Sequence, residues 1–143
     1  MNKAVRNQEP KEVWNHFADL NAVPRPSKKE ERVIKFMVAF GKKQNLNTFV
    51  DTVGNVIITK PATKGFEDRK TVVMQSHLDM VHQKNAKTNF DFDIQGIDML
   101  VEGDWITANG TTLGADNGLG VAAIMAVLSS DTIVHPNLEA LFT

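Results

Sequence analysis

Cysteine is missing from all 143 residues, which excludes thiolate metal sites, disulfides and cysteine nucleophiles. Long hydrophobic runs are missing too. No segment approaches the roughly 18 apolar residues of a membrane span, and the first stretch, MNKAVRNQEP, is too polar for the core of a signal peptide. The expectation is a cytoplasmic protein with no membrane partner. An excess of positive charge is also absent: the formal net charge is -1, which argues against a generally basic nucleic-acid binder. Neither repeats nor low-complexity segments occur, and no linker divides the chain. What is present is ordinary for a globular protein, with 42% hydrophobic and 23% charged residues on a chain long enough for one domain with a core.

The local patterns predict an α/β protein. Val13, Trp14, Phe17 and Leu20 recur at helical spacing over residues 11–20. Pro24 and Pro26 punctuate the chain, and Ser27 with Glu30 reads as a capping box. It would start a helix carrying Val33, Ile34, Met37, Val38 and Phe40. Residues 48–51 and 55–59 predict a hairpin turned at Gly54-Asn55, and a charged loop follows over 61–70. A second hairpin is expected over 97–101 and 105–107, closed at Gly103-Asp104. His16, His82 and His135 find no partner by sequence and are read as structural or surface residues.

Two stretches carry chemistry. In TVVMQSHLD, residues 71–79, the run Val72-Val73-Met74 suggests a strand buried on both faces in the middle of a sheet. Past it, side chains alternate, so His77 and Asp79 share a side while Leu78 points back. A polar pair at the carboxyl end of a strand is where open α/β sheets place ligands. Imidazole suits zinc, and a carboxylate on the ring's other N–H would fix its tautomer. A solvated pair at a strand end is the plain alternative. In TTLGADNGLGVAAIMAVL, residues 111–128, glycines surround Asp116 and Asn117 and small apolar residues follow, suited to a helix packed closely on a sheet. A phosphate-cradling turn, a turn presenting Asp116 to a cation, and a simple helix cap all fit this pattern. A carboxylate inside the turn favours a cation over a pyrophosphate.

Together, SHLDM at 76–80 and LGADNGLGVA at 113–122 resemble the M20 metallopeptidases, specifically their aminoacyl-histidine dipeptidase branch, and VPRPSKKEERVIKFM fits the same branch. The resemblance runs over nearly the whole chain. It implies a three-layer α/β/α zinc-peptidase sandwich with a mixed sheet, and two zinc ions in the complete enzyme, with cobalt or manganese as alternatives. His77 would be a ligand of one zinc, Asp116 the carboxylate bridging both, and Asp79 the group orienting His77. The substrate implied is an Xaa-His dipeptide.

In the family a Glu-Glu pair follows a strand of the Leu138–Phe142 type and supplies the general base and a zinc ligand. Further ligands and a lid domain for dimerisation come later. Residues 1–143 therefore look like the N-terminal part of the catalytic domain, incomplete and without the lid, and the isolated chain is expected to be inactive. A non-catalytic binding or structural module on the same scaffold is the other reading, and a nucleotide-binding domain the third. Glu139 alternates with Leu138 and Ala140 and reads as a strand residue rather than a base. The final strand is expected to form an open edge, with Leu138, Leu141 and Phe142 uncovered and the chain self-associating as a homo-oligomer.

Overall fold

A computed structural model describes residues 2–143. The element order is α1 (Lys3–Arg6), α2 (Lys11–Asn21), α3 (Glu31–Lys43), β1 (Asn47–Val50), β2 (Val56–Lys60), β3 (Val72–Ser76), β4 (Met99–Glu102), β5 (Trp105–Ala108), α4 (Ala115–Ser129) and β6 (Leu138–Phe142). The architecture is α/β with a mixed four-stranded sheet in the order β1-β2-β6-β3; only the β6–β3 pair is parallel. A separate β4–β5 hairpin lies outside it.

The amphipathic patterns decide what packs where. Val33, Met37 and Phe40 of α3 join Val56 and Ile58 of β2, Ala140 and Phe142 of β6, and Val121, Ile124, Met125 and Leu128 of α4 in one core. A second core gathers Val5, Phe17 and Ala18 with Met80, Ile97, Met99 and Ala122, and so ties α1, α2 and the β4–β5 hairpin to α4. Helices therefore cover one face of the sheet. On the other face Phe49, Ile57 and Leu141 stand in register across β1, β2 and β6. Phe49 there is 59% exposed. The sandwich is incomplete: among the described residues no helix covers that face.

Strand order corrects two expectations. The Val72–Met74 run is not a central strand. β3 is an edge strand, with Val72 and Val73 exposed. β6 is not an edge; it runs between β2 and β3 with both of its sides hydrogen-bonded. Leu138 and Phe142 are buried, Phe142 in the main core, and of the three only Leu141, on the open face, stays half-buried. Alternation explains the burial: Leu138, Ala140 and Phe142 make an apolar stripe with period two on the covered face of the sheet.

The hairpins fall where expected, with one refinement. The β1–β2 connection is organised by Asp51, whose carboxylate accepts from the Val53 and Asn55 amides, each at 2.9 Å, and from Asn55 Nδ2 at 2.7 Å. Gly54 supplies the left-handed turn residue at φ 99°. The capping box does not form. α3 begins at Glu31, its N-cap Glu30 makes no side-chain cap bond, and Ser27 is engaged elsewhere.

Candidate metal centre

β3 ends at Ser76, and the chain runs on extended through His77, Leu78 and Asp79. Two neighbours keep it straight. On one side the Thr143 amide donates to Ser76 O at 3.0 Å and the Leu78 amide donates to Thr143 O at 2.8 Å. On the other side Arg25-Pro26-Ser27 docks as a one-residue bridge at Pro26–Met80. There the Met80 amide donates to Arg25 O at 3.0 Å, and the Ser27 amide to Met80 O at 3.1 Å. Leu78 is buried in the core, so His77 and Asp79 are turned together to the opposite side, as period-two alternation requires.

His77 Nδ1 lies 2.9 Å from Asp79 Oδ1. The other carboxylate oxygen of Asp79 accepts a short hydrogen bond from the Ser27 hydroxyl. His77 Nε2 lies 3.1 Å from Asp116 Oδ1. The structure thus brings His77, Asp79 and Asp116 together. Ser27 joins them, a residue the sequence had assigned to a helix cap.

Asp116 is held by a break at the head of α4. Gly114 takes φ 71°, and Asp116 and Asn117 leave helical geometry before the helix proper begins. Ser76 Oγ donates to Asn117 O at 3.2 Å, fastening this turn to the end of β3. The Asp116 side chain is 94% exposed and faces the His77 ring from solvent. No strand leads into this turn, since β5 ends at Ala108 and residues 109–113 are irregular. That is unlike a dinucleotide loop.

Burial works against charge on the His77 ring, but the hydrogen bonds to Asp116 and Asp79 outweigh it and hold its pKa above the usual imidazole value. Partial burial would raise the Asp79 carboxyl, yet Ser27 and His77 together hold it below the usual carboxylate range.

The donor set fits a cation. With Nδ1–H given to Asp79, a neutral ring turns the lone pair of Nε2 toward a carboxylate oxygen, so two acceptors face each other at 3.1 Å. A proton or a metal ion must lie between them. Two ligands of a tetrahedral zinc, each about 2.0–2.1 Å from the ion, stand about 3.3 Å apart, close to the spacing observed. Asp79 sits on the far side of the ring, and no group of three or more His, Cys, Asp or Glu able to hold a metal occurs among the described residues.

The remaining histidines lie apart. His82 is in the exposed loop with its ring against Phe92. His16 Nε2 meets Ser129 Oγ at 3.1 Å, and His135 is buried with Nδ1 at 2.7 Å from Pro136 O. Glu139 is half-buried in the middle of β6, opposite Thr59 and Val73. The residues not foreseen here, Ser27 and Arg25, carry no local signal of this role, because their partners in the His77–Asp79 segment lie more than fifty positions away.

No protein-family profile matches the chain. Over 134 residues it is 46% identical to the cytosol non-specific dipeptidase of Escherichia coli K12, covering 94% of this chain and 28% of that protein. Its fold matches the crystal structure of the aminoacylhistidine dipeptidase from Vibrio alginolyticus with a TM-score of 0.95 and 44% identity, covering 97% of this chain and 28% of that one. An aminopeptidase PepT from Bacillus cereus matches with a TM-score of 0.74 and 26% identity, over 93% of this chain and 36% of that one. The chain thus spans little more than a quarter of the length of its nearer relatives here. Among the described residues no helix is long and apolar enough to cross a membrane.

Proposed function

We propose, from its similarity to a cytosol non-specific dipeptidase and an aminoacylhistidine dipeptidase, that the chain belongs to the aminoacyl-histidine dipeptidase branch of the M20 metallopeptidases and carries one part of a two-zinc site for hydrolysing Xaa-His dipeptides. The observation behind this reading is the approach of His77 Nε2 to Asp116 Oδ1 at 3.1 Å, on a ring whose other nitrogen is taken by Asp79. His77 and Asp116 would be the residues that hold the metal. Asp79 accepts the Nδ1 proton, which fixes the tautomer and leaves the Nε2 lone pair for the metal. Ser27 in turn holds the Asp79 carboxylate in its rotamer.

When bound, zinc supplies Lewis acidity toward the peptide carbonyl and a lowered pKa for a bound water; cobalt or manganese would suit the same oxygen and nitrogen donors. The proton of that water needs a separate base. Asp79 is committed to His77 and Ser27, Asp116 to the metal, and Glu139 to the middle of a strand. In the family the base belongs to a Glu-Glu pair that follows a strand of the Leu138–Phe142 type, and none of the three carboxylates named here is free to take its place. These residues alone therefore bind zinc weakly, because two protein ligands fall short of the three usual in catalytic sites. They turn over no dipeptide. The complete protein works in the cytoplasm on small peptides and not on nucleic acid.

Calorimetric zinc titration of the purified chain beside His77→Ala and Asp116→Ala tests the reading. Weak binding that disappears in both variants supports it, and binding indifferent to both overturns it. Hydrolysis of an Xaa-His dipeptide above the His77→Ala background would show that these residues do contain a base.

A further inference from the structure

We propose that Arg25 is a positioning residue, a clamp that sets the distance between the His77 segment and the Asp116 turn. The proposal deepens the reading that these two residues share a ligand. Arg25 is the largest fully buried side chain among the described residues, 1% exposed. Its Nη1 donates to Leu78 O at 3.0 Å and Asp79 O at 3.3 Å, both in the extended segment that presents His77. Its Nη2 donates at 2.8 Å to Gly114 O, in the turn that presents Asp116. The same Nη2 is 2.8 Å from Asn21 Oδ1, and Asn21 Nδ2 donates to Leu113 O at 3.0 Å, a second tie to that turn. One planar guanidinium thus joins carbonyls at 78–79 and 114, on the side of the two segments away from the Lys84–Thr111 bridge that links them further along.

Two features separate this from ordinary packing. Among the described residues no carboxylate lies within ion-pair distance of Arg25, the Asp79 charge acting on it only from further off, and its Nε–H is buried without an acceptor. An unpaired buried donor is costly, and a methionine would fill the same space without one. What methionine cannot do is hold three carbonyls at fixed angles. Burial pulls the guanidinium pKa down to about 10, with Asp79 opposing, so the group stays charged at neutral pH. The glycines of the Asp116 turn, moreover, are shaped around it. A Cβ at Gly114 would sit 2.6 Å from Arg25 Nη2, and one at Gly118 2.7 Å from the same atom. The glycine spacing that marks this turn in the sequence is thus partly room for Arg25.

The test compares the wild-type chain with Arg25→Met and Arg25→Lys by amide hydrogen exchange and by cobalt(II) titration followed by visible absorption. In Arg25→Met the Met80 and Gly118 amides, one in each loop, are expected to exchange at least about tenfold faster, while Ile58 and Met125 in the core change less than about twofold. Arg25→Lys, which keeps stem and charge but not the fork, falls between. Cobalt affinity is expected to drop about tenfold in Arg25→Met. Unchanged Met80 and Gly118, a change in one loop only, or a uniform rise that includes the core would overturn the clamp. So would failure of both variants to fold, since a residue the whole fold needs is not a local clamp. If wild-type cobalt binding is indifferent to His77→Ala, the shared-ligand reading is what fails, and the exchange data still decide the role of Arg25.

Discussion

Truncating Phe142 to alanine probes fold and site at once. Its ring is fully buried, lies opposite Val56 on one side and Ser76 on the other, and belongs to the main core. Removing a buried phenylalanine costs about 3–5 kcal/mol, a transfer contribution plus a cavity that neighbouring helices only partly close. For a domain of this size each kcal/mol lowers the melting temperature by roughly 3 °C, so a drop of about 10–15 °C is expected. Leu141 is the internal control. It is one residue earlier, faces the open side of the sheet and is only half-buried, so Leu141→Ala should cost about 1 kcal/mol or less. Thermal unfolding followed by circular dichroism would read both. The next residue, Thr143, holds Ser76 and Leu78 through its backbone, so Phe142→Ala should also weaken metal binding at His77 even where the chain is fully folded. Equal melting shifts for the two variants would mean that Phe142 does not face the core, and the register that sets Thr143 against Ser76 and Leu78 would fall with it.

Other outcomes can be checked directly. Burial lowers the His16 pKa below 6.5, Lys43 of α3 acting with it and Asp19 and Glu12 of α2 against it, beside Ser129 of α4. The unfolded chain then binds the proton more readily, so stability should fall as pH drops from about 6.5 through the folded pKa, and His16→Gln should flatten that slope in urea midpoints. Gly118→Ala gains helix propensity of about 1 kcal/mol but forces a Cβ to 2.7 Å from Arg25 Nη2 and 2.8 Å from Phe17 Cε2. Overpacking of about 1–3 kcal/mol should win; a variant that melts higher than wild type would refute the close approach. If the chain self-associates, the contact should lie on the exposed β3 edge rather than on β6. Light scattering should then show Val73→Lys dissociating the assembly, and an assembly insensitive to it lies elsewhere.

The readable parts of this chain were those written in short periods. Val13, Phe17 and Leu20 announce α2, Val33, Met37 and Phe40 announce α3, and the alternation of His77, Leu78 and Asp79 fixes which side chains meet, because each signal lies within one or two turns or pleats. The approach of Asp116 to His77 became legible only when two short motifs were read together. Ser27 shows why the rest was not. Its spacing to Glu30 satisfies a capping box, yet its hydroxyl is drawn to the Asp79 carboxylate, a charged acceptor that outweighs a backbone amide. Strand order was equally silent, since nothing in Leu138–Phe142 says which two strands it will separate.

The position of β6 has a consequence for the order in which the protein assembles. β2 and β3 touch only through β6, which is made last of the three. As the chain leaves the ribosome, the β1–β2 hairpin can form early, whereas β3 has no partner until residues 138–142 emerge. Throughout that interval the His77 segment lacks one of its two supports, and apolar Val72 and Val73 wait unpaired. Such non-local pairing is slow and exposes strands to wrong partners. His77 and Asp116 are therefore among the last residues of this chain to reach their places, and an ion shared between them could not guide the early stages of its folding.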